Sequence, residues 1–153
     1  MRHCQRLFPL TLATILIVSV GLAGCSAAGK AGAENHDYAI APLTDMPAEV
    51  KQAPVAVQEA YQFAIANPEI LKQIPCYCGC GAMGHTSNYA CYVANISEDG
   101  EVEYDNHALG CSICVDISQD TMLLLDQGKD VSEIFAFVDN AYARFGPPTP
   151  LEQ

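Results

Sequence analysis

The chain has 153 residues, half of them hydrophobic, and a formal charge of −11 from 18 acidic and 7 basic residues. A chain this short sustains one small domain, and so large an acidic surplus excludes nucleic acid and anionic headgroups as charge-complementary partners. Its compositional outlier is cysteine: there are eight.

Met1 to Arg6 supplies a positive segment, and Leu7 to Val20 is an almost unbroken apolar run, too short and too early for a comfortable membrane span. Residues 1–24 therefore read as a lipoprotein signal peptide. The run ends in Leu22-Ala23-Gly24-Cys25, which resembles the lipobox of bacterial lipoproteins, so Cys25 is the expected lipidation site and the first residue after cleavage. A plain secretory peptide with a cysteine near its cleavage site is the alternative. Each buried acyl methylene contributes about 0.8 kcal/mol, so a lipidated Cys25 anchors the protein to a bacterial membrane without a spanning helix. The expected location is extracytoplasmic. Removing Arg2 and Arg6 with the signal takes the charge from −11 to −13. Residues 25–44, rich in Ala and Gly and without periodicity, read as a flexible tether spanning roughly 25 Å.

The domain is expected over 45–145. Pro54 in a first turn and apolar residues at helical spacing predict a helix from Val55 to Ala66. Asn67-Pro68 ends it and opens a second, short helix over Glu69 to Gln73. Glycines and the Asp99-Gly100 pair then predict an irregular region holding a hairpin, with strands Tyr89–Val93 and Val102–Tyr104 and a loop between them. A long helix follows over about 112–127, closed by Gly128. Asp130-Val131-Ser132-Glu133 is a capping-box pattern opening a last helix to about Phe145, with Ile134, Phe135, Val138, Ala141 and Tyr142 on one face. Residues 146–153 read as a disordered Pro-rich tail. The fold class is mainly α: a small helical domain with an irregular Cys-rich loop and a short β-hairpin between its helices.

Without Cys4 and Cys25, six cysteines remain, in two groups. Cys76, Cys78 and Cys80 stand at alternate positions, with His85 and Cys91 downstream. His107, Cys111 and Cys114 form the second group. Thiols two and three residues apart among loop glycines have the spacing of metal ligands, because each must turn toward a common point. Three close thiols are too few for a closed four-coordinate site, so the hairpin is expected to fold back and bring the groups together. A thiolate-rich cluster selects copper(I) or zinc, with an iron–sulfur cluster ranked after them. Met83 is a thioether candidate, Asp105 and Asp116 are candidates to orient a histidine, and Tyr77, Tyr89 and Tyr92 are expected to cover the site.

Two other readings stay open. Six cysteines outside the cytoplasm can form three disulfides and staple a structural or interaction lipoprotein. Cys111 and Cys114, at the expected start of a helix whose dipole favours thiolate, can serve a thiol–disulfide oxidoreductase. No general base, oxyanion donor pair or substrate pocket can be nominated, so binding and delivery of metal, with a metal-exchange protein partner, is preferred to catalysis.

Pro75-Cys76-Tyr77-Cys78-Gly79-Cys80, Gly84-His85-x-Ser87-Asn88, Cys91-Tyr92 and Asp105-x-His107-Ala108-x-Gly110-Cys111-x-x-Cys114-Val115-Asp116-Ile117 together resemble the bacterial PCYCGC-motif lipoproteins, from about residue 46 to the C-terminus. That family is known mainly by its motif. The resemblance implies membership and no particular activity.

Overall fold

A computed structural model describes residues 36–152. The signal peptide, Cys25 and the first part of the tether lie outside the described residues. In chain order the described elements are α1 (Ala48–Lys51), α2 (Val55–Ala66), α3 (Pro68–Leu71), β1 (Val93–Ile96), β2 (Val102–Tyr104), α4 (His107–Gly110), α5 (Ser112–Asp126) and α6 (Val131–Tyr142). Among the described residues no helix is long and apolar enough to cross a membrane.

α5 is the central element and packs on α2 and α6. Its buried residues Cys114, Val115, Ile117, Ser118, Thr121 and Met122 recur at helical spacing and make a broad inward face. Tyr61, Phe63 and Ala64 of α2 and Ile134, Val138 and Tyr142 of α6 close the core. Each large apolar side chain removed from water contributes about 1.5–3 kcal/mol. Phe135, expected on the inward face of α6, is 38% exposed, because burial there follows the four-residue spacing of Ile134, Val138 and Tyr142.

Helix ends follow local chemistry. The backbone N–H of Lys129 donates to Leu124 O and that of Gly128 to Leu125 O, which satisfies the last carbonyls of α5. The capping box of α6 is complete: Asp130 accepts from Glu133 N, and Glu133 accepts from Asp130 N.

The strands form an antiparallel pair with Val93 opposite Tyr104 and Ile96 opposite Val102. β1 starts later than expected, because Tyr89–Cys91 is a 3-10 turn. Cys91, Tyr92 and Val93 are buried in succession, which suits a turn and not a strand with alternate exposure.

Both ends of the expected domain also need correction. Residues 36–44 are not a free tether where they are described: the amide of Asn67 donates to Ala39 O at 2.7 Å, Ala41 N donates to Gln62 O, and Tyr38 meets Phe63 edge-on. Polar backbone with fixed partners gave no periodic signal to read. The Pro-rich tail is likewise held as a strap. Thr149 is buried, its N–H donates to Cys76 O at 2.9 Å, and its hydroxyl oxygen accepts from Cys76 N at 3.0 Å. Prolines end α6 yet suit an extended strand lying along another segment.

Candidate metal centre

The strap fixes Cys76 on both backbone sides, and the chain then reverses at Gly79, whose φ of +86° is costly for any residue with a Cβ. That reversal gathers thiols that an extended chain would space apart. The Sγ atoms of Cys76 and Cys78 lie 3.5 Å apart. Cys80 opens the 3-10 turn Cys80–Met83, and Cys91 closes the turn Tyr89–Cys91, placing their sulfurs 3.7 Å apart. From the other side of the hairpin come His107 at the start of α4, Cys111 as the N-cap of α5, and Cys114 in its first turn.

The two sequence groups meet. Cys76 Sγ lies 3.4 Å from Cys114 Sγ, and Cys78 Sγ lies 3.6 Å from Cys114 Sγ and 3.3 Å from His107 Nε2. Cys78, His107, Cys111 and Cys114 have ligand atoms all within 4.8 Å of one another, and so do Cys80, His85, Cys91 and His107. Cys76 joins Cys78 and Cys80 in a third such set, and Cys91 and Cys114 in a fourth. All eight sequence candidates beyond the signal and lipobox therefore fall in one cluster. The six thiols are free. Their closest contacts of 3.4–3.7 Å are far from a bonded pair, near 2.05 Å, and close to the edge of about 3.8 Å that sulfurs subtend around a tetrahedral ion at about 2.3 Å.

The two thiols of the Cys76–Cys114 pair shift in opposite directions. Cys76 is lowered to about 7, chiefly by the hydrogen bond from Cys114, and Cys114 is raised, chiefly by that same bond to Cys76. Burial pushes Cys78 up as well. A metal held by these residues would displace the shared protons.

A buried polar network aligns the first turn of α5. The Tyr92 hydroxyl donates to Cys114 O at 2.8 Å and meets Ser118 Oγ at 2.7 Å. Ser118 Oγ donates to Asn88 Oδ1 at 2.7 Å, and Asn88 Nδ2 donates to Cys114 O at 3.2 Å. Asn88 and Ser118 were missed as positioning residues. Their only sequence signal is Ser87-Asn88 within the motif, which carries no role by itself.

Of the auxiliary candidates, Asp105 stands against His85, its Oδ2 3.4 Å from Nε2. It is held there by His107 N on Oδ1 at 2.7 Å and by the Tyr61 hydroxyl on its carbonyl at 2.6 Å. Asp116 is exposed and is not brought to the cluster by any of these contacts. Met83 is 61% exposed, on the outer end of its turn. Tyr77 and Tyr92 are fully buried with their hydroxyls committed to Asp139 and to the α5 network, whereas Lys72 lies over the ring of Tyr89. Only in burial do these tyrosines act as the expected cover.

No curated protein and no solved structure is significantly similar to the chain. The family described as "Protein of unknown function with PCYCGC motif" matches residues 14–153, more than the stretch from residue 46 on which the sequence motifs stand. The chain belongs to the PCYCGC-motif family, and the motif cysteines are those gathered with His85, His107, Cys91, Cys111 and Cys114 in this cluster.

Proposed function

We propose that this is a metal-binding lipoprotein that holds copper(I) or zinc outside the cytoplasm and passes it to a partner. One observation carries the reading: Cys78, His107, Cys111 and Cys114, from either side of the hairpin, have ligand atoms within 4.8 Å of one another. Three thiolates and an imidazole suit zinc in tetrahedral form, and thiolates in excess suit copper(I). The ligand pool is Cys76, Cys78, Cys80, His85, Cys91, His107, Cys111 and Cys114. Cys25 carries the acyl anchor that keeps the domain at a bacterial membrane.

Exchange is supported by unequal burial. Cys78, His107 and Cys111 are half-buried, while Cys76, Cys80, Cys91 and Cys114 are buried. Incoming ligands of a partner reach the half-buried edge first. The acidic surplus favours a basic face on that partner. Free thiols at these distances favour ligation over the disulfide-stapled alternative.

The test is native mass spectrometry of the whole protein, purified without added metal, with thiols counted before and after chelation. Bound copper or zinc that leaves six reactive thiols beyond the lipobox supports the reading. A metal-free protein lacking six hydrogens overturns it in favour of three disulfides.

A further inference from the structure

We infer that the cluster is two adjoining metal sites, the second built from Cys80, His85 and Cys91 and completed by Cys76. Given the metal-binding reading above, the eight groups are enough for two sites of four ligands; the two sets of four whose ligand atoms all lie within 4.8 Å of one another share His107. Cys78, His107, Cys111 and Cys114 form one closed set at the half-buried edge. Cys80 and Cys91, buried and 3.7 Å apart, form the inner pair. Their spacing matches the tetrahedral edge of about 3.8 Å for zinc thiolate.

The independent sign of a second ion is His85. The residue is 9% exposed, and its Nδ1 has no hydrogen-bond partner among the described residues. A buried polar atom left unpaired is costly, so such atoms ordinarily find a partner. The other nitrogen, Nε2, faces Asp105 Oδ2 at 3.4 Å. A carboxylate beside one nitrogen while the other is left bare is the arrangement of a metal-binding histidine. Asp105 is fixed by His107 N and by the Tyr61 hydroxyl, so the ring is oriented from outside the site.

The fourth position belongs to Cys76. His107 lies near enough to Cys80, His85 and Cys91 to serve, but its Nε2 is already 3.3 Å from Cys78. Cys76 remains unassigned, with its sulfur within 4.8 Å of Cys80 and of Cys91. It also touches Cys78 and Cys114 at 3.5 and 3.4 Å, which puts it between the two sets and able to bridge them. A thiolate shared between two ions couples their occupancy.

Titrating the reduced whole protein with Zn²⁺, and separately with copper(I), under native mass spectrometry tests this. Two zinc ions per chain are expected at saturation, falling to one in His85→Ala and in Cys91→Ser. The pair of substitutions Cys78→Ser and Cys111→Ser should also leave one. A wild-type protein saturating at one zinc overturns the second site while leaving the proposed function intact, whereas no bound zinc or copper(I) overturns both. Two zinc ions retained by His85→Ala and by Cys91→Ser would also overturn the assignment. Circular dichroism confirms that each variant is folded, and the wild-type stoichiometry decides the matter without any variant. Asp105→Asn, which keeps the shape, should weaken only the second zinc, roughly 10–100-fold.

Discussion

Tyr92→Phe removes one oxygen from the network that sets the first turn of α5. That hydroxyl donates to Cys114 O and meets Ser118 Oγ, at 2.8 and 2.7 Å. Neither partner is abandoned by its loss: Cys114 O keeps the Asn88 amide, and Ser118 Oγ keeps Asn88 Oδ1. The ring stays, with its edge-on contact to Tyr61 at 4.9 Å between centroids, so no large cavity opens. Two hydroxyl hydrogens serve the three contacts of Tyr92 and Ser118, and the bond from Ser118 to Asn88 survives, so the cost is one net hydrogen bond, about 0.5–1.5 kcal/mol. Urea unfolding of the reduced, metal-free protein should show a lower midpoint at unchanged slope. Because the groups share partners, a cycle with Ser118→Ala should return a coupling of about 0.5–3 kcal/mol. A midpoint unchanged to within about 0.3 kcal/mol, with strictly additive effects, would refute the network.

Thr149→Val keeps the shape of the strap residue but leaves buried Cys76 N without its side-chain acceptor, so the metal-free protein should lose about 1–3 kcal/mol in the same urea assay. Gly146→Ala would place a Cβ 2.9 Å from Tyr77 O, and backbone cannot yield cheaply; limited proteolysis should show the tail released from residue 146 onward, and a tail as resistant as in wild type contradicts the strap. Gly79→Ala meets no atom within 4 Å, so its penalty is conformational alone, about 1–2 kcal/mol for a left-handed residue. Asp130 and Glu133 are both lowered in the folded state, Asp130 first by the Ser132 hydroxyl and Glu133 first by Lys129. A lowered acid stabilises the fold above its unfolded pKa and loses that contribution as pH falls through the folded one. The protection of Glu133 N, taken relative to its intrinsic exchange rate at each pH, should accordingly fall in acid before the core opens, and an Asp130→Asn variant should lose most of that dependence.

How much was legible depended on range. α2, α5 and the capped start of α6 are written in neighbouring residues: a proline in a first turn, apolar positions three and four apart, and an Asp three residues before a Glu. Convergence of the cysteine groups was legible for a different reason, namely that three thiols cannot close a four-coordinate site and the remaining donors lie across the hairpin. The strap was not. Its hold on Cys76 spans 73 residues and runs through backbone atoms and one threonine hydroxyl, which leave no periodic trace. Asn88 and Ser118 escaped likewise, since a polar residue reads as surface until its buried partner is known. The start of β1 was misplaced because Tyr89 to Val93 has strand composition, while the need to turn Cys91 toward Cys80 curls the chain first.

The proposed metal binding requires an ion seated among Cys78, His107, Cys111 and Cys114. Anomalous diffraction from crystals of the zinc-loaded protein tests it most directly. The expected peak lies about 2.3 Å from each of the three sulfurs and about 2.0–2.1 Å from a His107 nitrogen. Peaks confined to surface carboxylates, or these sulfurs bonded in pairs at about 2.05 Å, would contradict it.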